Sequence, residues 1–184
     1  MNDLTVYRRV KDQMKTGDCL LWASTGPLGW LIRKFTKSEV NHASVVVALF
    51  EGTPQQRRYH VEALEKGPDL KCLSLKLETY KGKVWWYPLK KEFDCARFEM
   101  GVQALDFDAK DIGYDYWTLI KNAWKHCKAC ADKVICSETW YFCAKKGIPL
   151  LDLYWTGEES LRGKCPTPAD LPKFDVFKFG MRIL

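Results

Sequence analysis

Apolar positions change their spacing along this chain, and the spacing predicts the elements. Leu4, Tyr7, Val10 and Met14 recur at helical intervals with Arg8, Arg9 and Lys11 off their side, which predicts an amphipathic helix over residues 4–15. Gly17-Asp18 reads as a turn, Cys19–Ala23 as a buried strand, and Ser24–Gly29 as a break. Trp30–Lys37 predicts a short helix with a basic side. His42–Phe50, rich in β-branched residues, is the clearest strand. After a loop over 51–56, Arg58–Leu64 alternates, placing Tyr59, Val61 and Ala63 on one face and His60, Glu62 and Leu64 on the other. Leu70–Leu77 and Gly82–Leu89 read as two more strands. Helices are expected over 92–107, Tyr114–Trp124 and the stretch beginning at Cys136. A last strand is expected over Phe174–Phe179. This order predicts one α+β domain over 1–184, with an antiparallel sheet packed on helices.

Composition narrows the class. A chain of 184 residues is long enough for one sizeable core. No apolar run approaches the roughly 20 residues that cross a bilayer, and the start of the chain lacks an apolar export block, so a cytoplasmic location is expected. Eight cysteines in such a setting are expected to stay mostly reduced. The net charge of +6 is spread along the chain and carries no nucleic-acid fingerprint, so no nucleic-acid partner is expected.

Chemistry concentrates at Cys136. Val134 and Ile135 lead into it, and Trp140, Cys143 and Ala144 follow on one helical stripe that would face a core. Lys145 and Lys146 fall in the last turn, Gly147 is placed as the C′ residue, and Pro149 lies beyond. Cys136 is thereby set at a helix start, where unpaired N–H groups favour thiolate over thiol. A small buried hydrophobe is the bland alternative for any cysteine. A thiolate nucleophile needs a base and a group that orients the base. Of the three histidines, His42 begins a strand and is the first choice, His60 the second, and His126 sits among lysines and cysteines. If the hairpin tip lies in 51–57, the residue facing His42 falls between 62 and 66, which puts Glu62 directly across or diagonal. An exposed polar residue on an alternating strand is the equal alternative for Glu62. His60 stays open as the orienting group.

Several words recur in an order that resembles a known family. They are Gly17-Asp18-Cys-Leu-Leu-Trp, Leu31-Ile-Arg-Lys-Phe-Thr-Lys-Ser, Asn41-His42-Ala-Ser-Val-Val-Val, His60-Val-Glu62-Ala, Tyr114-Asp-Tyr, Ile135-Cys136-Ser-Glu and Thr167-Pro168-Ala-Asp-Leu. Over residues 16–172 the chain resembles the YiiX/YebB-like branch of the NlpC/P60 superfamily, the circularly permuted papain-like cysteine hydrolases. The resemblance implies a papain-like fold whose antiparallel sheet or small barrel packs against helices. It also implies Cys136 as nucleophile, His42 as base and Glu62 as orienting group, with Tyr114 and Ser137 against substrate. Peptide or amide hydrolysis, often of cell-wall peptides, would pass through a thioester on Cys136, with no cofactor and no metal. Small peptides, amides or acyl compounds are the implied substrates, and no oligomeric state follows. The alternative is a non-catalytic or lipid/acyl-binding module, or an acyltransferase or lipid esterase, on the same fold. The lipid acyltransferase branch carries Asn-Cys-Glu-His-Phe where this chain has Ile-Cys-Ser-Glu-Thr-Trp, which argues against that branch.

Other readings carry less. His126, Cys127, Cys130 and Cys136 would make a Cys₃His zinc set, but no second Cys-x-x-Cys accompanies Cys127-x-x-Cys130. A redox role for that pair lacks a βαβ setting. Trp30, Ile32 and Phe35 among basic residues allow membrane association, although inward packing of those side chains is favoured. Trp85, Trp86, Trp117 and Trp140 are expected in the core rather than at a ligand.

Overall fold

The computed structural model describes residues 2–26, 29, 30, 33, 34, 37–50, 52, 53, 56–64, 67–109, 113, 114, 133, 134 and 136–184. Its centre is an open, six-stranded antiparallel sheet. In chain order the strands are β1 (Cys19–Ser24), β2 (His42–Leu49), β3 (Arg57–Leu64), β4 (Gly67–Cys72), β5 (Gly82–Tyr87), and β8 (Met181–Arg182), arranged β4-β3-β2-β1-β5-β8. A small parallel pair, β6 (Gly113–Tyr114) with β7 (Lys133–Val134), stands apart. Strand alternation sends β1 and β2 side chains to two cores. Cys19, Leu21, Ala43, Val45 and Val47 face one; Leu20, Trp22 and Val46 face the other.

Helices cover both faces. On the second core lie α1 (Thr5–Val10), continued by a 3-10 turn over Lys11–Gln13, and α2 (Leu73–Thr79). On the first lie α3 (Arg97–Ala109) and α4 (Cys136–Gly147), packed on each other and on β2. Asp18 knits the layers where β1 begins. Its buried carboxylate accepts hydrogen bonds from Lys15 N, Trp86 Nε1, Leu89 N and Arg97 Nη1 at 2.8–3.1 Å. Gly17 precedes it at φ 90, where a side chain would be strained and a Cβ would lie 2.9 Å from Met100 Sδ.

Several expected elements are corrected. The strand expected over 70–77 is instead the end of β4 followed by helix α2. Leu73 and Leu77, one helical turn apart, are buried while Leu75 is 62% exposed, a helical and not a strand pattern. Phe174–Phe179 is not a strand. Phe174 and Phe177 make isolated bridges to Trp155 and Leu89, and the pairing strand is β8. The helix expected over 92–107 opens as a 3-10 segment, Lys91–Ala96, and then becomes α3. Gly147 closes α4 within the helix, without the left-handed φ of a C′ residue. Its lack of a side chain serves packing, because a Cβ there would lie 2.5 Å from the Ala96 carbonyl oxygen. Trp30 is 54% exposed, with Lys34 Nζ 5.0 Å from its ring centroid, so it does not pack inward as expected. The helix expected over Tyr114–Trp124 begins on β6 and otherwise lies outside the described residues, as do Ile32, Phe35 and Trp117. Trp86 and Trp140 are core residues.

Candidate active site

The β2–β3 hairpin builds the first half of the site. Its register runs from Val45 opposite Val61 to Leu49 opposite Arg57. Extended toward the start of β2, it sets Glu62 opposite Ser44 and therefore diagonal to His42. Across that diagonal His42 Nε2 lies 2.8 Å from Glu62 Oε2. Glu62 is fully buried, so the exposed-polar alternative is excluded. A buried carboxylate must be paired. Here its other oxygen, Oε1, accepts from Lys76 Nζ at 2.7 Å, and Lys71 Nζ stands 3.5 Å away. Burial alone would raise the Glu62 pKa. The hydrogen bond and charge of His42, with the charges of His60 and Lys76, instead hold it well below the usual carboxylate range.

Helix α4 supplies the second half. Cys136 is its first residue, 1% exposed. The stripe Trp140, Cys143 and Ala144 is buried in the first core and orients the helix. Trp140 Nε1 donates to the Gly17 carbonyl at 3.0 Å, fixing α4 to the turn before β1. The Cys136 and His42 side chains are hydrogen-bonded. With Nε2 given to Glu62, Nδ1 is the ring nitrogen left for the sulfur. Burial pulls the His42 pKa down, but the charge and hydrogen bond of Cys136, followed by those of Glu62, outweigh it and raise it to about 10. Sulfur, imidazole and carboxylate thus meet at the start of β2, with the imidazole hydrogen-bonded to the carboxylate and the Cys136 side chain acting on the ring.

The remaining candidates separate. Ser137 is buried beside Cys136, and its Oγ has no hydrogen-bond partner among the described residues. Tyr114 pairs in register with Val134, so its backbone runs beside the lead-in to α4. His60 does not orient His42. Its Nδ1 lies 3.1 Å from Ser44 Oγ, which also accepts from Trp22 Nε1 at 2.8 Å. Burial lowers the His60 pKa to about 4, keeping this ring neutral. Burial likewise pushes up the thiols of Cys19, Cys143 and Cys165, which are poor nucleophiles for that reason. Cys165 is also hydrogen-bonded to the buried Glu138, in the first turn of α4. His126, Cys127 and Cys130 lie outside the described residues. Among the described residues, no group of three or more His, Cys, Asp or Glu side chains is arranged to hold a metal ion. None of the described helices is long and apolar enough to cross a membrane.

Sequence reasoning missed Lys76. The signal was present, since Leu73 and Leu77 share a helical stripe that sets Lys76 beside it. Alternating Leu73, Leu75 and Leu77 masked it as a strand.

No family model matches the chain, and no curated protein matches it. The sheet, its helices and their order define a YiiX-like α+β fold. Among solved structures, the chain is similar to that of the metalloprotein yiiX from Escherichia coli O157:H7, at TM-score 0.61 and 16% identity, covering 90% of this chain and 96% of that one. At that identity the likeness carries architecture alone.

Proposed function

We propose that this protein is a thiol-dependent hydrolase of the permuted NlpC/P60 type, with Cys136 as nucleophile, His42 as general acid and base, and Glu62 holding the imidazole. The observation that carries the reading is the meeting of Cys136, His42 and Glu62 around one imidazole, with His42 Nε2 2.8 Å from the carboxylate. His42 holds the proton at neutral pH, and the Cys136 thiolate attacks the carbonyl carbon of an amide or ester. Negative charge develops on the carbonyl oxygen. The Cys136 backbone N–H, at a helix start where amides lack intrahelical acceptors, is a donor for it. The tetrahedral centre collapses as the leaving amine or alcohol takes the proton from His42, leaving a thioester on Cys136. Water then gives a proton to His42 and attacks the thioester, and the sulfur leaves as thiolate while His42 keeps that proton. Glu62 accepts the Nε2 proton throughout, keeping Nδ1 toward sulfur. Ser137 and Tyr114 line the substrate side in this reading, and a small peptide, amide or acyl compound is the substrate.

The yiiX neighbour is described as a metalloprotein. Among the described residues of this chain, no group of three or more His, Cys, Asp or Glu side chains is arranged to hold a metal ion, and the steps above use none. One observation favours a non-catalytic binding module instead: Cys136 is 1% exposed. Iodoacetamide labelling with peptide mapping separates the two. The hydrolase requires Cys136 to label faster than the other seven cysteines near neutral pH, and to lose that lead in His42→Ala. Labelling of Cys136 no faster than the rest rejects it.

A further inference from the structure

The carboxylate that faces His42 is gripped from behind. Glu62 Oε2 meets His42 Nε2 at 2.8 Å, while Oε1 receives Lys76 Nζ at 2.7 Å. Each oxygen therefore has its own donor, and rotation of the carboxylate would break one contact or the other. Lys76 is well anchored, since it sits on α2 between Leu73 and Leu77, both fully buried. Lys71 is a weaker second holder. It stands 3.5 Å from Oε1, and its ammonium is already 3.0 Å from Asp69.

We propose that Lys76 is a positioning residue for the Cys136–His42 pair: its ammonium fixes the Glu62 carboxylate toward His42 and shares its negative charge. This rests on the hydrolase reading. An unshared carboxylate would bind the imidazolium proton more tightly, and a base that holds its proton too firmly returns it poorly to a leaving group. The charged and titratable groups around the carboxylate come from every neighbouring element. They are His42 on β2, His60 on β3, Lys71 and Asp69 on β4, Lys76 on α2, and Tyr80 just beyond it. Cys136 on α4 lies across His42, and Arg33 acts on Tyr80. Among the described residues Lys76 makes the shortest contact to the carboxylate, at 2.7 Å against 2.8 Å for the imidazole and 3.5 Å for Lys71.

Removing a positive charge tightens proton binding at every nearby group, so both limbs of the pair's pH profile must move up together. The test is the rate of iodoacetamide labelling of Cys136, mapped by mass spectrometry between pH 4 and 11, in full-length wild type, Lys76→Met and Lys76→Arg. Lys76→Met is expected to raise both midpoints by about half a unit or more, slowing labelling about threefold to tenfold on the acid limb. Lys76→Arg is expected to restore the wild-type midpoints. Should Lys76→Met fail to fold, Lys76→Gln, which keeps a donor without the charge, takes its place. A Lys76→Met or Lys76→Gln profile superimposed on wild type overturns the proposal. So does equal slowing in Lys76→Met and Lys76→Arg with unmoved midpoints, which marks a purely structural lysine. Failure of the hydrolase reading is seen separately, as wild-type Cys136 labelling no faster than the exposed Cys95. In that event the His42 ring-proton titration by NMR still decides the clamp, and an unmoved midpoint in the variant overturns it.

Discussion

His42 and His60 project from neighbouring strands into the same layer, and both rings lie against Trp22, with centroids 6.5 and 5.1 Å away. Their surroundings drive them apart. His42 sits at the first residue of β2, where a carboxylate and a thiol reach it, and its pKa rises to about 10. His60 lies deeper, with a hydroxyl on one nitrogen and no partner for the other among the described residues, and burial lowers its pKa to about 4. Desolvation acts in the same direction on both rings. The charge of Glu62 acts on both. What separates them is that His42 gains the charge and hydrogen bond of Cys136 and a hydrogen bond to Glu62, while at His60 the charges of Lys76, His42 and Lys71 oppose that of Glu62. A strand's end admits such partners from a helix on the other face; its interior admits only what the sheet already carries.

The sharpest way to break the comparison is to remove the sulfur or the ring. Cys136→Ala should abolish turnover of any amide or ester the wild type cleaves. His42→Ala should slow both turnover and Cys136 labelling by about a hundredfold or more, with far-UV circular dichroism unchanged. Comparable turnover in Cys136→Ala and wild type would reject the mechanism.

Next comes stability against pH. His60 is held neutral, with a folded pKa below the unfolded value of 6.5, so the unfolded chain binds the extra proton between them. Stability is therefore expected to fall as pH drops from 6.5 to about 4, by an amount on the order of 3 kcal/mol from this group. His42 works oppositely. Its raised pKa adds stability that is complete below 6.5 and is lost as pH rises toward 10. The lowered Glu62 pKa adds stability above 4.5 that is lost as pH falls through the folded value. Urea melts across pH 4–10 should thus peak near 6.5, and His60→Gln should flatten the slope between 6.5 and 4.5. An unchanged slope in His60→Gln would show that this ring is not the group titrating.

Smaller effects sharpen the picture. Glu62→Gln keeps a hydrogen-bond acceptor for His42 but loses the charge, and should slow labelling of Cys136 at pH 7 about tenfold. A rate equal to wild type would leave the carboxylate without a part. Trp140→Phe removes the hydrogen bond to Gly17 and should cost about 1 kcal/mol in a urea melt, with little change in labelling.

Much of this arrangement was readable in advance because it depends on local periodicity. The β-branched run after His42, the alternation around Val61 and the stripe from Cys136 to Ala144 each set a strand or helix. A hairpin of limited loop length confined His42 to a few partners. Two things were not readable. Whether Glu62 faces water or a second layer depends on what covers that face, and α2 supplies the cover. Helix α2 was itself disguised, because Leu73, Leu75 and Leu77 suit a strand as well as a helix until Leu75 is found at the surface. The bridges of Phe174 and Phe177 to separate partners likewise answer to tertiary packing and leave no repeat in the chain.

The bond from Trp140 to Gly17 joins positions 123 residues apart. During synthesis, the imidazole and its carboxylate emerge together in one hairpin, long before the ribosome releases the sulfur that completes the line. On the proposed reading, a growing chain thus carries a half-site without its sulfur, and the site is complete only when the late helix docks on the turn ahead of β1.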